Sequence, residues 1–229
     1  MAFLADKYEK IKQQLAPCHA TLVAVSKTKP VEDILDAYRH GVRDFGENYV
    51  QELTEKQPAL PKDIRWHFIG HLQTNKVKYI APFVHLIHGV DSEKLLAEIN
   101  KQAARQQRTI DCLLQVHISK EETKFGFDEK ELETLLNKLI LQAPDSFGHV
   151  RVCGLMGMAT FTEDNGLIRE EFKQLKSIFD KYAPHASTRF PFSTLSMGMS
   201  ADYQFALENG SNMVRIGSLL FGERNYAAR

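Results

Sequence analysis

Apolar residues recur along this chain at two alternating periods. Leu4, Tyr8, Ile11 and Leu15 stand three or four apart, so residues 1–16 predict an amphipathic lead-in helix. The β-branched run Thr21–Val25 predicts a buried strand. Pro30 suits the first turn of a helix, where its missing N–H would lack a partner anyway. Val31, Ile34, Leu35 and Tyr38 line that helix, and Gly41 stops it. Apolar runs then return at Val42–Phe45, Trp66–Ile69, Val84–Val90, Ile110–Ile118, Val150–Met156, Phe192–Leu195 and Met213–Ile216. Helical patterns lie between them. One carries Leu95, Leu96, Ile99 and Ala103 behind an Asp91 cap, a second Leu132, Leu135, Leu136 and Leu139, and a third Ile168, Phe172, Leu175, Phe179 and Tyr182.

Eight strand candidates, each followed by helix or loop, predict a parallel sheet with both faces covered. At about 26 residues per unit they point to a (β/α)8 barrel of the TIM type, preceded by the amphipathic helix. An open doubly wound sheet is the alternative that this pattern leaves. No Gly/Pro/Ser-rich linker or low-complexity tract interrupts the order, so residues 1–229 read as a single domain.

Composition narrows the function classes. The 229 residues carry 29 Lys+Arg against 29 Asp+Glu, a formal net charge of zero. That balance argues against a nucleic-acid partner, which calls for a basic excess. The start is charged and amphipathic, unlike a signal peptide. The least charged stretch, Tyr79–Val90, is too short to cross a membrane and contains Pro82, His85 and His88. Cys18, Cys112 and Cys153 are odd in number and widely spaced, so they suggest neither a disulfide framework nor a metal motif. A cytoplasmic protein without a membrane partner is expected.

Barrel chemistry sits on the loops that follow the strands. Lys27 closes the first strand. There it is either a snorkelling surface lysine or an amine that forms a Schiff base with a carbonyl. Ser200 reads as the cap of a helix running to Glu208 and ended by Gly210. With the Gly217-Ser218 pair it forms either plain capping chemistry or an anion pocket of the kind that barrels build after strands seven and eight. Asp202, in the same turn, would repel a dianion. Arg215 shares the parity of Gly217 and so its side of the strand. It is either an ion-pair partner or a donor to an anion or ring nitrogen. Taken together, Lys27, this pocket and Arg215 describe one ligand, a phosphorylated aromatic aldehyde. His71 and His117 end or follow strands and are weighed as acid–base groups against structural roles. His67 and His71 have the spacing of metal ligands on a helix, but WHFIG reads as strand, so no metal site is expected.

The segments LVAVSKTKP, FGENYVQE, WHFIGHLQTNK, GLMGMA, FSTLSMGMSAD and NGSNMVRIGSLLFG, in that order, resemble the pyridoxal-phosphate homeostasis proteins. The resemblance implies a barrel like the N-terminal domain of bacterial alanine racemase, holding pyridoxal 5′-phosphate as a lysine aldimine. Residue by residue, it implies Lys27 as the Schiff-base lysine, and Ser200, Gly217 and Ser218 around the phosphate. It sets Arg215 opposite the pyridine nitrogen, Asn48 near the cofactor and Met199 as a backbone contact. Ser218 stands where many relatives have threonine, and both keep a hydroxyl.

Arginine only donates hydrogen bonds, so a ring nitrogen facing Arg215 stays largely unprotonated and the ring is a poor electron sink. A racemase of this kind also takes a tyrosine from a second domain, for which little chain follows Gly217, and Tyr226 reads as a tail residue. The expectation is a monomeric carrier or buffer of pyridoxal phosphate, without catalytic residues, that supplies apo-enzymes requiring it. A weak amino-acid racemase is the alternative, and a lysine-dependent sugar-phosphate enzyme is a third reading. Trp66, Gln73 and Asn75 are left without a role.

Overall fold

The computed structural model describes residues 3–120, 125–142, 147–188 and 190–223. Helix α1 (Ala5–Leu15) buries Tyr8, Ile11 and Leu15, three of the four residues whose spacing predicts it. Eight strand–helix units follow, in the order β1 (Thr21–Val25), α2 (Val31–Arg39), β2 (Asp44–Glu47), α3 (Val50–Lys56), β3 (Arg65–Phe68), α4 (Val77–Ile80), β4 (Leu86–Val90) and α5 (Glu93–Arg105). The second half runs β5 (Ile110–Gln115), α6 (Glu129–Asn137), β6 (Val150–Met156), α7 (Asn165–Tyr182), β7 (Thr194–Ser196), α8 (Tyr203–Glu208), β8 (Met213–Ile216) and α9 (Ser218–Phe221).

The strands pair in parallel in chain order and close on themselves, with Val23 beside Arg215 where β1 meets β8. That pairing makes the fold a (β/α)8 barrel and excludes the open sheet. Alternation along each strand divides the side chains into two sets. One set packs outward under the helices, with Ala24, Phe45, Ile87, Leu114, Val214 and Ile216 among it. A smaller apolar cluster of Val23, Leu86, Leu113, Cys153, Met156 and Met213 fills part of the barrel interior. Between β5 and β6 the register slips at Cys112/Leu113. Gly154 sits at that slip with φ +151°, and a Cβ there would overlap the backbone of Thr194, so only glycine fits.

Three local readings differ from the sequence. Strand β2 lies two residues later than the apolar run, because Gly46 and Glu47 pair with β3 at His67 and Phe68. Ser92, not Asp91, caps α5 by accepting from Leu95 N, while Asp91 Oδ2 is 2.9 Å from His71 Nδ1. Ser200 caps nothing: α8 starts only at Tyr203. Trp66 is buried beside Phe45, ring centroids 6.0 Å apart, so its role is packing. Among the described residues no helix is long and apolar enough to cross a membrane.

Candidate functional site

The loops at the carboxyl ends of β1, β2, β6, β7 and β8, with Ile69 after β3, surround a pocket of about 590 Å³. Lys27, Asn48, Met199, Ser200, Arg215, Gly217 and Ser218 all line it. They come from four separate stretches of chain, and ring closure brings them together. His71 and His117 do not line it, and Tyr226 lies outside the described residues. His71 instead stacks on Phe125, with ring centroids 3.9 Å apart, and borders a neighbouring recess with Gln73 and Lys76.

The turn that carries Lys27 is braced from beneath. Ser26 is wholly buried, and its hydroxyl donates to Glu47 Oε1 at 2.6 Å. Lys56, reaching up from the end of α3, donates to Ser26 O at 2.9 Å, Glu47 Oε1 at 2.8 Å and Glu52 Oε1 at 2.6 Å. The same Glu52 oxygen accepts from Thr28 N at 2.5 Å, where the chain turns left-handed at φ +63°. A buried ammonium persists only when paired, and here one lysine meets two carboxylates and a carbonyl at once. Glu47 Oε2 keeps no hydrogen-bond partner among the described residues. Burial pushes the Glu47 carboxyl up, and Lys56 opposes the shift. Sequence reasoning missed this brace. Its only local signal is the Glu52–Lys56 spacing of four along one helix.

From β8, the strand paired with β1, Arg215 projects into the barrel and is almost wholly buried. Its guanidinium donates to Ser196 O at 2.9 Å, Ser196 Oγ at 2.6 Å and Gly157 O at 3.0 Å. Burial pulls it down to about 10, with the Asp202 carboxylate opposing, so it is a cation at neutral pH. Ser200 Oγ accepts from Gly217 N at 3.2 Å, which ties the loop after β7 to the start of α9. Asp202 Oδ1 is taken up by Met199 N at 2.6 Å, so the acid anticipated as a repulsive neighbour also shapes the loop. The buried Oδ1 of Asn48 has no hydrogen-bond partner among the described residues. A buried polar atom left in that state at a pocket wall is a position where a ligand can bond.

These features fit a phosphorylated aromatic aldehyde. The lining offers an amine, a donor-only cation, two hydroxyls, a backbone N–H and an orphaned amide oxygen, in a volume that suits a small molecule.

Residues 1–225 match the family model described as alanine racemase, N-terminal domain. The pyridoxal phosphate homeostasis protein of Aquifex aeolicus is 42% identical over 208 residues, covering 90% of this chain and 88% of its own. The chain belongs to the pyridoxal phosphate homeostasis protein family. PipY of Synechococcus elongatus PCC7942 shares the fold, at 32% identity, in structures without and with pyridoxal phosphate bound. The TM-scores are 0.88 and 0.84, with 96% and 95% of this chain covered and 100% and 99% of PipY. The alanine racemase of Streptomyces coelicolor A3(2) is alike in fold alone, at 18% identity and TM-score 0.72, over 93% of this chain and 56% of that one.

Proposed function

We propose that this chain is a single-barrel protein that binds pyridoxal 5′-phosphate and serves its homeostasis as a carrier or buffer, in the cytoplasm and without robust turnover. The observation that carries the reading is the convergence of Lys27, Ser200, Arg215, Gly217 and Ser218 on one pocket, in a family named for that cofactor. When bound, the cofactor brings an electrophilic aldehyde, a pyridine ring and a phosphate dianion.

Lys27 supplies the amine for the aldehyde, on a turn that the Glu47–Lys56–Glu52 brace keeps from shifting. Ser200 and Ser218 take the phosphate, and Gly217, without a side chain, lets it approach the backbone at the start of α9. Met199 supplies backbone at the rim, and Asn48 offers its unused carbonyl. Arg215 faces the ring nitrogen and withholds a proton from it, because a guanidinium donates a hydrogen bond and keeps its charge. An unprotonated ring stabilises a substrate carbanion poorly, which favours storage over turnover. In this reading the chain acts as a monomer and releases the cofactor to apo-enzymes that require it.

Borohydride reduction of the loaded protein followed by peptide mapping tests the assignment. Covalent cofactor on Lys27, and none in Lys27→Ala, is expected; retention by the variant overturns the site. Exchange of α-hydrogen for deuterium on a panel of amino acids tests the carrier reading. Exchange near a typical enzyme rate, roughly 10 per second, would overturn it in favour of a racemase.

A further inference from the structure

The barrel interior holds a column of polar side chains that the pocket does not account for. Asp44 stands at the start of β2, His67 in β3, His88 in β4, Ser196 at the end of β7 and Arg215 in β8. His67 Nε2 is 3.0 Å from Asp44 Oδ1, His67 Nδ1 is 3.0 Å from His88 Nε2, and His88 Nδ1 is 3.2 Å from Ser196 Oγ. Ser196 Oγ in turn receives Arg215 at 2.6 Å. The column crosses from the amino-terminal end of the barrel, where Asp44 borders a second recess, to the pocket lined by Arg215. Each member is buried, with apolar Leu86, Leu113, Met156 and Met213 also facing the interior.

We propose that Asp44, His67, His88 and Ser196 are positioning residues for Arg215, joined to it by hydrogen bonds that all point the same way. The direction follows from the two ends. A guanidinium has only donors, and an ionised carboxylate has only acceptors. Arg215 therefore donates to Ser196 Oγ, which leaves the Ser196 hydroxyl hydrogen for His88 Nδ1. A His88 that accepts at Nδ1 carries its proton on Nε2 and donates it to His67 Nδ1. His67 then carries its own proton on Nε2 and donates to Asp44. Arg65 closes the far end with two bonds to Asp44, at 2.6 and 2.5 Å.

The protonation states support this order. Burial pushes the His88 imidazole far below its ordinary range, so it is neutral. Burial also raises the Asp44 carboxyl, but the hydrogen bonds from His67 and Arg65 overcome that and hold it well below the usual range. With three of its five N–H groups committed to Ser196 and Gly157, the guanidinium cannot swing, and two N–H groups are left for the pocket. What those two face rests on the pyridoxal phosphate reading; the column itself does not.

The test separates the two. In cofactor-free protein labelled with 15N-histidine, long-range 1H–15N spectra at neutral pH are expected to show both His67 and His88 neutral and protonated on Nε2. A His88 protonated on Nδ1 would mean that a His67 imidazolium has reversed the column, and would overturn the proposal. Ser196→Ala is expected to disturb the His88 tautomer. It should also weaken pyridoxal phosphate binding about tenfold or more, the loss of a bond to a charged group. Ser196→Thr, which keeps the hydroxyl, is expected to restore both. Asp44→Asn, outside the pocket, is expected to shift the pH dependence of the bound cofactor's absorbance. Unchanged affinity and spectrum in folded Ser196→Ala and Asp44→Asn would likewise overturn the inference. If the wild-type protein binds no pyridoxal phosphate, the functional reading fails, and the tautomers still decide the column.

Discussion

Gly70 shows how tightly the pocket wall is set at the level of single atoms. Its backbone lies so close to the chain after β2 that an added Cβ would overlap Asn48 O and stand 2.9 Å from Asn48 Cα. Gly70→Ala must therefore displace Asn48, a residue of the pocket wall. We expect pyridoxal phosphate affinity to fall roughly tenfold, with a cost of about 1–3 kcal/mol in stability from overpacking. Absorbance titration and urea unfolding measure the two, and unchanged affinity would show that Asn48 has no part in binding. Asn48 and Met199 were legible only through resemblance to a family, because neither residue type signals a chemistry by itself. Lys27 and Arg215 were legible as candidates from the residues, each beside a structural alternative. A charge at the end of an apolar strand needs a reason.

At the scale of elements, the brace beneath β1 matters most. Strand β2 and helix α3 appear in the sequence as an apolar run and a short polar segment. Nothing local announces that Lys56 turns inward to meet Glu47. That contact depends on where α3 docks, and docking is decided by the closed ring rather than by any window of sequence. The same holds for Ser200, which reads as a helix cap but spends its oxygen on Gly217 across the mouth. Removing Lys56 would leave Glu47 buried against one hydroxyl. Lys56→Met is expected to cost roughly 3 kcal/mol or more, read as a lower urea midpoint. The Thr28 amide should also exchange faster with solvent, since Glu52 loses the ammonium that holds it in place. A stable variant with a protected Thr28 amide would count against the brace.

The molecule as a whole repeats one unit eight times, and that repetition is why the architecture is the most legible part of the sequence. The interior column is the least legible. Its members are single polar residues on five strands; Arg215 stands out by itself, but nothing local links it to the other four, and only closure of the barrel aligns them. The column also shapes the response to acid. His88 has a folded-state pKa below its unfolded value of about 6.5, so the unfolded chain takes up the proton first. Its stabilising effect is complete above about pH 6.5 and is lost as pH falls below it. Asp44 acts later in the same direction, its contribution present above about pH 4 and lost below. Thermal unfolding is expected to show Tm falling between about pH 7 and 5, ahead of ordinary carboxylate titration, with a shallower fall in His88→Gln. A flat profile in that window would contradict the neutral, buried His88.

The seam where β1 pairs with β8 has one more consequence. Lys27 leaves the first strand of the ring and Arg215 belongs to the last, and the two strands are neighbours. During synthesis Lys27 emerges early and waits for nearly the whole chain before β8, its neighbour in the ring, exists. A chain that stops short of β8 has no Arg215, Gly217 or Ser218, so the pocket depends on closure of the ring. Loss of β8 alone would therefore leave Lys27 in place and still dismantle the pocket.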